Sequence, residues 1–297
     1  MNDALDVEGL RKVYGSWWGA GRTALDGVSL SVPRGAMFGL IGPNGAGKTT
    51  FIKLLLGIIR PTAGQVRIMG KDPSKPRSRR KVGYLPERLY VPPAFTLEEF
   101  LYSVARLKGV AAADALTQME RVGLADERRT RVGRFSKGMR QRAGLAAALT
   151  GQPDLLILDE PTDGIDPLGR KAVRLILRDE RSRGATVLLN SHLLDETERL
   201  CDRIAILDRG RLVRQGSLDT LALDAGTWRL RTAAPMPTEL KEGLIGMPGE
   251  SNLYEFSAAS PEAANEMLDR FRSQGVVIVE FSQALRPLEA ILEEALT

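Results

Sequence analysis

A short apolar strand, a glycine-rich loop and a helix follow one another near the start of this chain, and that order restricts the possible folds more than any other feature. The run Met37–Ile41 has strand character and leads into Gly42-Pro43-Asn44-Gly45-Ala46-Gly47-Lys48-Thr49, after which a helix is expected over 48–56. Glycines at these spacings let backbone N–H groups surround phosphate oxygens. In such a loop Lys48 bridges the β- and γ-phosphates of a nucleotide, and Thr49 offers its hydroxyl to Mg²⁺. A purely structural glycine turn is the weaker interpretation, because both the preceding strand and the following helix are present.

Two further apolar runs, 155–158 and 186–189, have the character of buried parallel strands and are separated by a helix expected over 168–183. Such alternation indicates a parallel sheet covered on both faces. The first run ends in Asp159-Glu160, which places two carboxylates at the carboxyl edge of the sheet, where ligands bind. We expect Asp159 to hold Mg²⁺ through water and Glu160 to act as general base toward an attacking water. An acidic strand end that only caps the next helix is the alternative, and the phosphate loop makes it the weaker one.

His192 is the only histidine in the chain and comes three residues after the run 186–189. A lone histidine is more often structural than functional. Its position after a second parallel strand nevertheless favours a role as γ-phosphate sensor, because that strand ends at the same sheet edge.

A second turn with anion-binding character precedes the helix expected over 137–149. Ser136-Lys137-Gly138-Met139 places a hydroxyl and backbone N–H groups at the start of that helix. The residues alone leave its ligand open: the two turns serve two ligands, or one ligand is held between two molecules.

Composition limits the compartment and the partners. Of 297 residues 43% are hydrophobic, and 42 Lys and Arg against 37 Asp and Glu give a net charge of +5. This mild excess fits anionic partners without requiring nucleic acid. Cys201 is the only cysteine, so a reducing compartment is expected. The chain shows no signal peptide and no apolar window of about 18 residues, so we expect no membrane-spanning segment.

The ordered motifs resemble the ATP-binding cassette (ABC) family over about residues 5–222. Gly42 to Thr49 resembles Walker A, 135–139 the signature sequence, Asp159-Glu160 Walker B with its catalytic glutamate, Gly164-Ile165-Asp166-Pro167 the D-loop and His192 the switch histidine. Gly83-Tyr84-Leu85-Pro86-Glu87 occupies the place of the Q-loop, and Tyr14 that of the aromatic residue that stacks on adenine. The signature variant with Lys137 and Met139 is similar to single-cassette ATPases of ABC-2 type exporters and their relatives, including cassettes of metalloenzyme maturation.

The resemblance implies an α/β P-loop NTPase fold: a RecA-like parallel sheet core, an antiparallel β subdomain, a helical signature subdomain and a small C-terminal α/β appendix. The expected domains are the cassette over 1–223, with its helical part at about 90–150, and an accessory domain over 224–297. The short strands expected over 5–13 and 25–32 belong to the antiparallel part. The helices expected over 97–108 and 111–122 belong to the helical part.

The resemblance also implies ATP and Mg²⁺ as cofactors and ATP hydrolysis as the activity. The nucleotide-binding residues are expected to be Tyr14, Gly42, Pro43, Asn44, Gly45, Ala46, Gly47, Lys48, Thr49, Thr50, Ser136, Gly138 and Asp166, the catalytic ones Lys48, Glu87, Glu160 and His192, and the metal ligands Thr49, Glu87 and Asp159. Two copies are expected to pack head to tail, so that each ATP lies between one Walker A and the partner's Ser136 and Gly138. Separate transmembrane permease subunits are the expected partners, which places the chain in the cytoplasm at the inner face of the cell membrane.

Three features depart from the pattern or stay open. Glu87 stands where the family usually has glutamine; its carboxylate still suits Mg²⁺. Trp17 and Trp18 either share adenine stacking with Tyr14 or, as the slightly favoured interpretation, pack on the first sheet. The basic stretch 71–81 is interpreted as a solvated loop in preference to a lipid-headgroup contact.

The leading functional hypothesis is the ATPase subunit of an exporter. The alternatives are a cassette of a non-exporter membrane complex, a soluble ABC ATPase acting on ribosomes or DNA, and an unrelated P-loop kinase or GTPase. The soluble class usually carries two cassettes or a long coiled coil, and the last class would leave the Ser136 turn without purpose.

Overall fold

The computed structural model describes residues 3–16, 19–247 and 249–296 of the chain. The strands are β1 (Asp3–Ser16), β2 (Gly19–Pro33), β3 (Met37–Ile41), β4 (Ala63–Ile68), β5 (Val82–Leu85), β6 (Leu155–Asp159), β7 (Thr186–Asn190), β8 (Arg203–Asp208), β9 (Arg211–Ser217), β10 (Leu223–Thr232), β11 (Leu244–Gly246), β12 (Leu253–Ser257) and β13 (Ile278–Leu285). The helices are α1 (Lys48–Leu55), α2 (Leu97–Lys108), α3 (Ala112–Arg121), α4 (Lys137–Leu149), α5 (Pro167–Ser182), α6 (Leu194–Leu200), α7 (Leu218–Ala222), α8 (Pro261–Ser273) and α9 (Leu288–Leu296).

A six-stranded sheet with the order β5-β6-β7-β3-β8-β9 forms the centre of the first part of the chain. The pairs β5–β6, β6–β7, β7–β3 and β3–β8 are all parallel. Every residue of β3, β6 and β7 is buried, which explains why polar and apolar residues do not alternate along these strands and why polar side chains occur only at strand ends. In the register of β6 and β7, Asp159 stands opposite Asn190 at the carboxyl ends. The expected parallel core is confirmed.

A smaller antiparallel sheet has the order β2-β1-β4. β1 and β2 form a hairpin in which Tyr14 pairs with Arg22 and Ser16 with Gly19. Trp17 and Trp18 lie outside the described residues. The inner face of this sheet shares one apolar core with the central sheet and with α1. The antiparallel subdomain expected from the sequence is therefore present.

The helices α2, α3 and α4 follow β5 and are linked to each other and to α5 by polar contacts. Lys108 in the last turn of α2 donates to the backbone carbonyl of Thr150 at 2.6 Å, just beyond the end of α4. Arg121 of α3 lies 2.7 Å from Glu180 of α5, and Arg183 contacts the other oxygen of the same carboxylate, also at 2.7 Å. The Glu180 side chain is only 4% exposed, so these ion pairs hold a buried charge between the helical part and α5.

The described residues divide into two compact units, and the division falls between Gly216 and Ser217. The sequence-based boundary was expected at 223. The second unit, Ser217–Glu294, contains the four-stranded antiparallel sheet β11-β12-β10-β13. Its own apolar core includes Leu230, Phe256 and Phe271, with the rings of Phe256 and Phe271 meeting edge to face at 6.4 Å.

In the ranges the structure describes, no helix has both the length and the apolar composition needed to cross a membrane.

Candidate nucleotide site

The glycine-rich loop connects the carboxyl end of β3 to the first residue of α1. Gly42 has φ +152°, and a Cβ at this position would lie 2.1 Å from the carbonyl oxygen of Leu207 in β8. Only glycine allows the chain to leave the sheet this close to its neighbour. Gly47 stands at the N-cap of α1 and provides no side-chain hydrogen bond to the helix. The first N–H groups of α1 thus remain oriented toward the loop, as an anion-binding turn requires.

Lys48 is directed into this loop. Its ammonium donates to the carbonyl oxygens of Gly42 and, at 3.0 Å, of Pro43. Burial lowers the pKa of Lys48, while the charges of Glu160 and Asp159 act in the opposite direction. The phosphate loop and the two carboxylates that follow β6 therefore form one electrostatic site, as the sequence predicts for neighbouring carboxyl strand ends.

Asp159 is buried at the end of β6 and accepts a hydrogen bond from the side-chain amide of Asn190. Burial raises the pKa of Asp159, and the charges of Glu87 and Glu160 add to that effect. The amide orientation of Asn190 follows from the contact, since its oxygen would be repelled by the carboxylate. Its Oδ1 is then left buried without a hydrogen-bond partner.

These groups have the chemistry that a magnesium site would use. Mg²⁺ is usually bound by one or two carboxylates together with substrate phosphate oxygens and several waters. Asp159 is a carboxylate of this kind, and the Thr49 hydroxyl lies in the first turn of α1, next to Lys48 in the sequence. The unpartnered Oδ1 of Asn190 is suited to accept from a metal-bound water.

Glu160 follows Asp159 with a left-handed backbone, φ +53°, which turns its side chain away from the path of the strand. Its carboxylate is held by His192 and Ser191. The backbone N–H of His192 donates to Oε1 at 2.8 Å, and His192 Nδ1 lies 2.7 Å from Oε2. The Ser191 hydroxyl is 3.3 Å from Oε2. A carboxylate held at both oxygens has a defined orientation, as a general base needs.

The Ser136 turn forms the N-terminus of α4, and the Ser136 hydroxyl accepts from the N–H of Met139 at 3.1 Å. A Cβ on Gly138 would lie 3.0 Å from the carbonyl oxygen of Gly164, so the turn contacts the loop after β6. Among the described residues, no hydrogen bond or ion pair joins the turn to residues 42–50 of the same chain. The structure thus does not bring the two predicted phosphate-binding turns together within one molecule.

The remaining predicted residues lie in three different places, and within the described ranges only Tyr14 of these has a contact with α1. Tyr14 Oη lies 3.4 Å from the Thr50 hydroxyl, which places the tyrosine at the first turn of α1. Glu87 is exposed after β5, and its charge reaches Asp159. Asp166 caps α5 by accepting from the N–H of Gly169 at 3.0 Å, and this bond lowers the pKa of the Asp166 carboxyl.

Sequence reasoning did not assign functional roles to Asn190, Ser191 and Gln141. Gln141 donates to the backbone carbonyl of Glu160 at 2.6 Å and so fixes the strained residue from the helical side. The sequence does contain a pattern that indicates Asn190 and Ser191. Asn190 ends the buried strand β7, Ser191 follows it, and β7 is the neighbour of β6 in the sheet. No local signal identifies Gln141, whose contact depends on how α4 packs.

The chain is similar over much of its length to several proteins whose names assign them to a family. The family model described as ABC transporter matches residues 25–163. An uncharacterized ABC transporter ATP-binding protein of Nostoc sp. is 39% identical over 288 residues, which cover 94% of this chain and 86% of that protein. Nod factor export ATP-binding protein I of Burkholderia thailandensis is 41% identical over 230 residues, covering 75% of this chain and 76% of that protein.

Two solved structures have a similar fold. One, described as the ATP binding subunit of an ABC transporter, has a TM-score of 0.67 at 33% identity and covers 73% of this chain and 91% of that chain. A bacterial ABC transporter cassette solved as a dimer has a TM-score of 0.67 at 23% identity, covering 72% of this chain and 98% of that chain. Because the dimeric cassette is only 23% identical to this chain, the similarity between them shows a shared fold and nothing further.

Proposed function

This chain belongs to the family of ABC transporter ATP-binding proteins, and on that premise we propose that two copies of it close around two ATP molecules and drive a separate membrane-spanning exporter subunit. The membership in this family that the sequence predicts is confirmed by these similarities. As a member of this family, the chain is an ATPase.

The observation that carries the proposal is the fixed carboxylate of Glu160 beside the phosphate loop. Both of its oxygens are held by His192 and Ser191, and its charge reaches Lys48. In the proposed reaction a water oxygen bonds to the γ-phosphorus while the bond to the bridging oxygen breaks, and the water's proton passes to Glu160. The products are ADP and phosphate.

The other predicted residues would bind and orient the nucleotide. The backbone of 42–47 and Lys48 would hold the phosphates, and Tyr14 would stack on the adenine. Asp159, Thr49 and Glu87 would hold Mg²⁺ with its waters; when bound, the ion neutralises charge on the β- and γ-phosphates.

In the proposed dimer, the ATP bound by the second copy is the ligand of the Ser136 turn. In its own chain this turn contacts the loop after β6 and not the phosphate loop, while its hydroxyl is exposed at a helix N-terminus. A head-to-tail dimer would bring Ser136 and Gly138 to the partner's γ-phosphate, and Asp166 would lie at the same interface. ATP would then stabilise the dimer, and hydrolysis would favour its opening.

The exporter assignment rests on the signature variant with Lys137 and Met139 and on relatives named for export. The segment after β5 offers a surface for the membrane partner, because Tyr90 is 86% exposed and Phe95 is 39% exposed. Exposed aromatic side chains of this kind are typical of protein interfaces. The chain would accordingly lie on the cytoplasmic face of the cell membrane.

Mixing two inactive variants tests the dimeric site. In a mixed dimer of Ser136→Arg and Glu160→Gln chains, the head-to-tail arrangement leaves one site intact: the base of the first chain with the signature turn of the second. We expect ATP hydrolysis to reappear on mixing, measured as phosphate release. If the mixture stays as inactive as each variant alone, the arrangement across two chains is wrong.

Copurification tests the membrane partner. The Glu160→Gln chain, tagged and purified from detergent-solubilised membranes with ATP, is expected to bring down a multi-span membrane protein. The control is the same chain with Tyr90→Ser and Phe95→Ser, which is expected to retain ATP binding and lose that protein. Recovery of ribosomes or DNA without any membrane protein would contradict the exporter proposal.

A further inference from the structure

Lys137 is the first residue of α4 and lies between the two residues of the turn that we assign to nucleotide binding. Its ammonium lies 2.7 Å from Oδ2 of Asp163. Asp163 belongs to the loop that follows Glu160, and its own N–H donates to the Glu160 carbonyl at 3.2 Å. The ion pair therefore joins the start of α4 to the loop that carries the proposed base.

The aliphatic part of the lysine side chain is also placed by this loop. Gly164 has φ +71°, and a Cβ there would lie 2.5 Å from Cδ and 2.7 Å from Cγ of Lys137. The lysine stem thus covers the backbone of Gly164, while Gly138 approaches the carbonyl oxygen of Gly164 from the same helix turn. Two residues of α4 therefore contact the same short loop.

A second attachment lies one helical turn further along. Gln141, four residues after Lys137 and so on the same face of α4, donates to the carbonyl of Glu160 at 2.6 Å. The helix is held to residues 160–164 at both points. The Ser136 turn and the Glu160 backbone are thus parts of one connected unit within a single chain.

The charges at the start of α4 indicate what the ion pair between Lys137 and Asp163 contributes. A cation in the first turn of a helix is disfavoured by the helix dipole, and Asp163 offsets this cost. The Lys137 side chain is 63% exposed and that of Asp163 32%, so the pair adds little to the stability of the fold. Its effect is expected in the position of the turn.

We propose that Lys137 and Asp163 form a positioning pair that sets the orientation of the Ser136–Gly138 turn relative to Glu160 of the same chain. The inference rests on the proposed two-chain site. Through this pair, the part of a chain that receives the partner's ATP is linked to the base that acts on its own ATP. Lys137 is therefore assigned to Asp163 and not to the partner's phosphate.

The first test uses the whole chain without nucleotide and does not depend on dimer formation. Amide hydrogen exchange of the segment 136–139 is compared in the parent chain, Lys137→Met, Asp163→Asn and Lys137→Arg. Loss of the ion pair is expected to speed exchange of the Met139 amide, which donates to Ser136, while Lys137→Arg retains protection. Equal exchange in all four chains overturns the proposal.

The second test measures the ATP-dependent dimer dissociation constant in the Glu160→Gln background. Each dimer contains two such turns, so we expect Lys137→Met and Asp163→Asn to weaken it about two- to thirty-fold, the square of the effect of one exposed ion pair. The charge exchange Lys137→Asp with Asp163→Lys is expected to restore dimerisation to within about twofold of the parent. Arg272→Met, which removes an exposed ion pair with Asp269 in the second unit, is the matched control and leaves the constant unchanged.

The outcomes separate the pair from direct phosphate binding. If Lys137 contacted the partner's ATP, the charge exchange would dimerise more weakly than Lys137→Met, and this result overturns the proposal. If the parent Glu160→Gln chain fails to dimerise with ATP, the two-chain function is wrong, while the exchange measurement still decides whether the pair positions the turn.

Discussion

The imidazole Nδ1 of His192 lies 2.7 Å from Oε2 of Glu160, and the backbone N–H of the same histidine donates to Oε1 at 2.8 Å. One residue thus holds both oxygens of the carboxylate. For Nδ1 to donate, it must carry the ring proton, which leaves Nε2 as the nitrogen available to a ligand. The His192 side chain is 65% exposed, whereas that of Glu160 is 12% exposed, so the histidine covers the carboxylate from the solvent side.

Replacing Glu160 by glutamine is expected to lower the rate of ATP hydrolysis about 10²- to 10⁴-fold, because a general base is lost while the shape of the side chain is kept. ATP affinity is expected to be retained, since glutamine keeps the shape of the side chain and the residues of the phosphate loop are unchanged. Phosphate release and equilibrium binding of a fluorescent ATP analogue measure the two effects. Glu266→Gln, an exposed glutamate in α8, is the control. Hydrolysis within a few-fold of the parent would exclude Glu160 as the base.

Replacing Asn190 by alanine is expected to weaken metal binding, because Asp159 loses the donor that orients it and the buried Oδ1 is removed. Loss of a residue that orients a metal ligand typically lowers metal affinity about 10- to 100-fold. The measurement is a Mn²⁺ titration followed by electron paramagnetic resonance in the presence of ATP. Binding of ATP in excess chelator is expected to be unchanged. Asn265→Ala, at an exposed position in α8, serves as the control, and an equal Mn²⁺ affinity in both variants would contradict the assigned role.

Replacing Glu180 by alanine is expected to destabilise the fold by about 3 kcal/mol, because Arg121 and Arg183 lose a shared buried partner. Both arginines are partly exposed, so water compensates some of their charge and keeps the effect at the lower end of the range. The midpoint of urea denaturation, followed by far-UV circular dichroism, measures this loss. Glu120→Ala, an exposed glutamate next to Arg121, is expected to stay within about 0.5 kcal/mol of the parent.

Two glycines of the phosphate loop are expected to differ in their tolerance of alanine. A Cβ on Gly42 would meet the Leu207 carbonyl at 2.1 Å, whereas a Cβ on Gly45 meets nothing within 4 Å. Gly42→Ala must therefore displace the loop or β8 and is expected to abolish ATP binding. Gly45→Ala carries only the cost of its positive φ, about 1 kcal/mol, and is expected to bind ATP with modestly reduced affinity. Equal binding by the two variants would show that the loop is not held against β8.

Much of the central fold could be predicted from the sequence because its strands are buried on both faces. β3 and the stretches 155–158 and 187–189 within β6 and β7 are uninterrupted apolar runs, and each is followed at the same sheet edge by the glycine-rich loop or by polar residues. β5 was not predicted as a strand. It has only four residues, and its strand geometry comes from pairing with β6, which no local pattern records.

The residues of the site could be predicted by type, but their contacts could not. The polar ends of β6 and β7 indicate Asp159, Glu160 and His192, since parallel strands bring their carboxyl ends together. The ion pair of Lys137 with Asp163 depends on how α4 lies against the loop after β6. That placement is set by packing between elements far apart in the sequence. Sequence periodicity carries no information about it.

The position of β3 in the sheet has a mechanical consequence for the phosphate loop. β3 is hydrogen-bonded along one side to β7 and along the other to β8. A pull on the bound phosphates would load both ladders in shear, so that several hydrogen bonds would have to break at once before the strand could slip. The phosphate loop is therefore firmly anchored to the sheet through β3. We expect displacements driven by ATP in the elements at the edges of the sheet and not in β3.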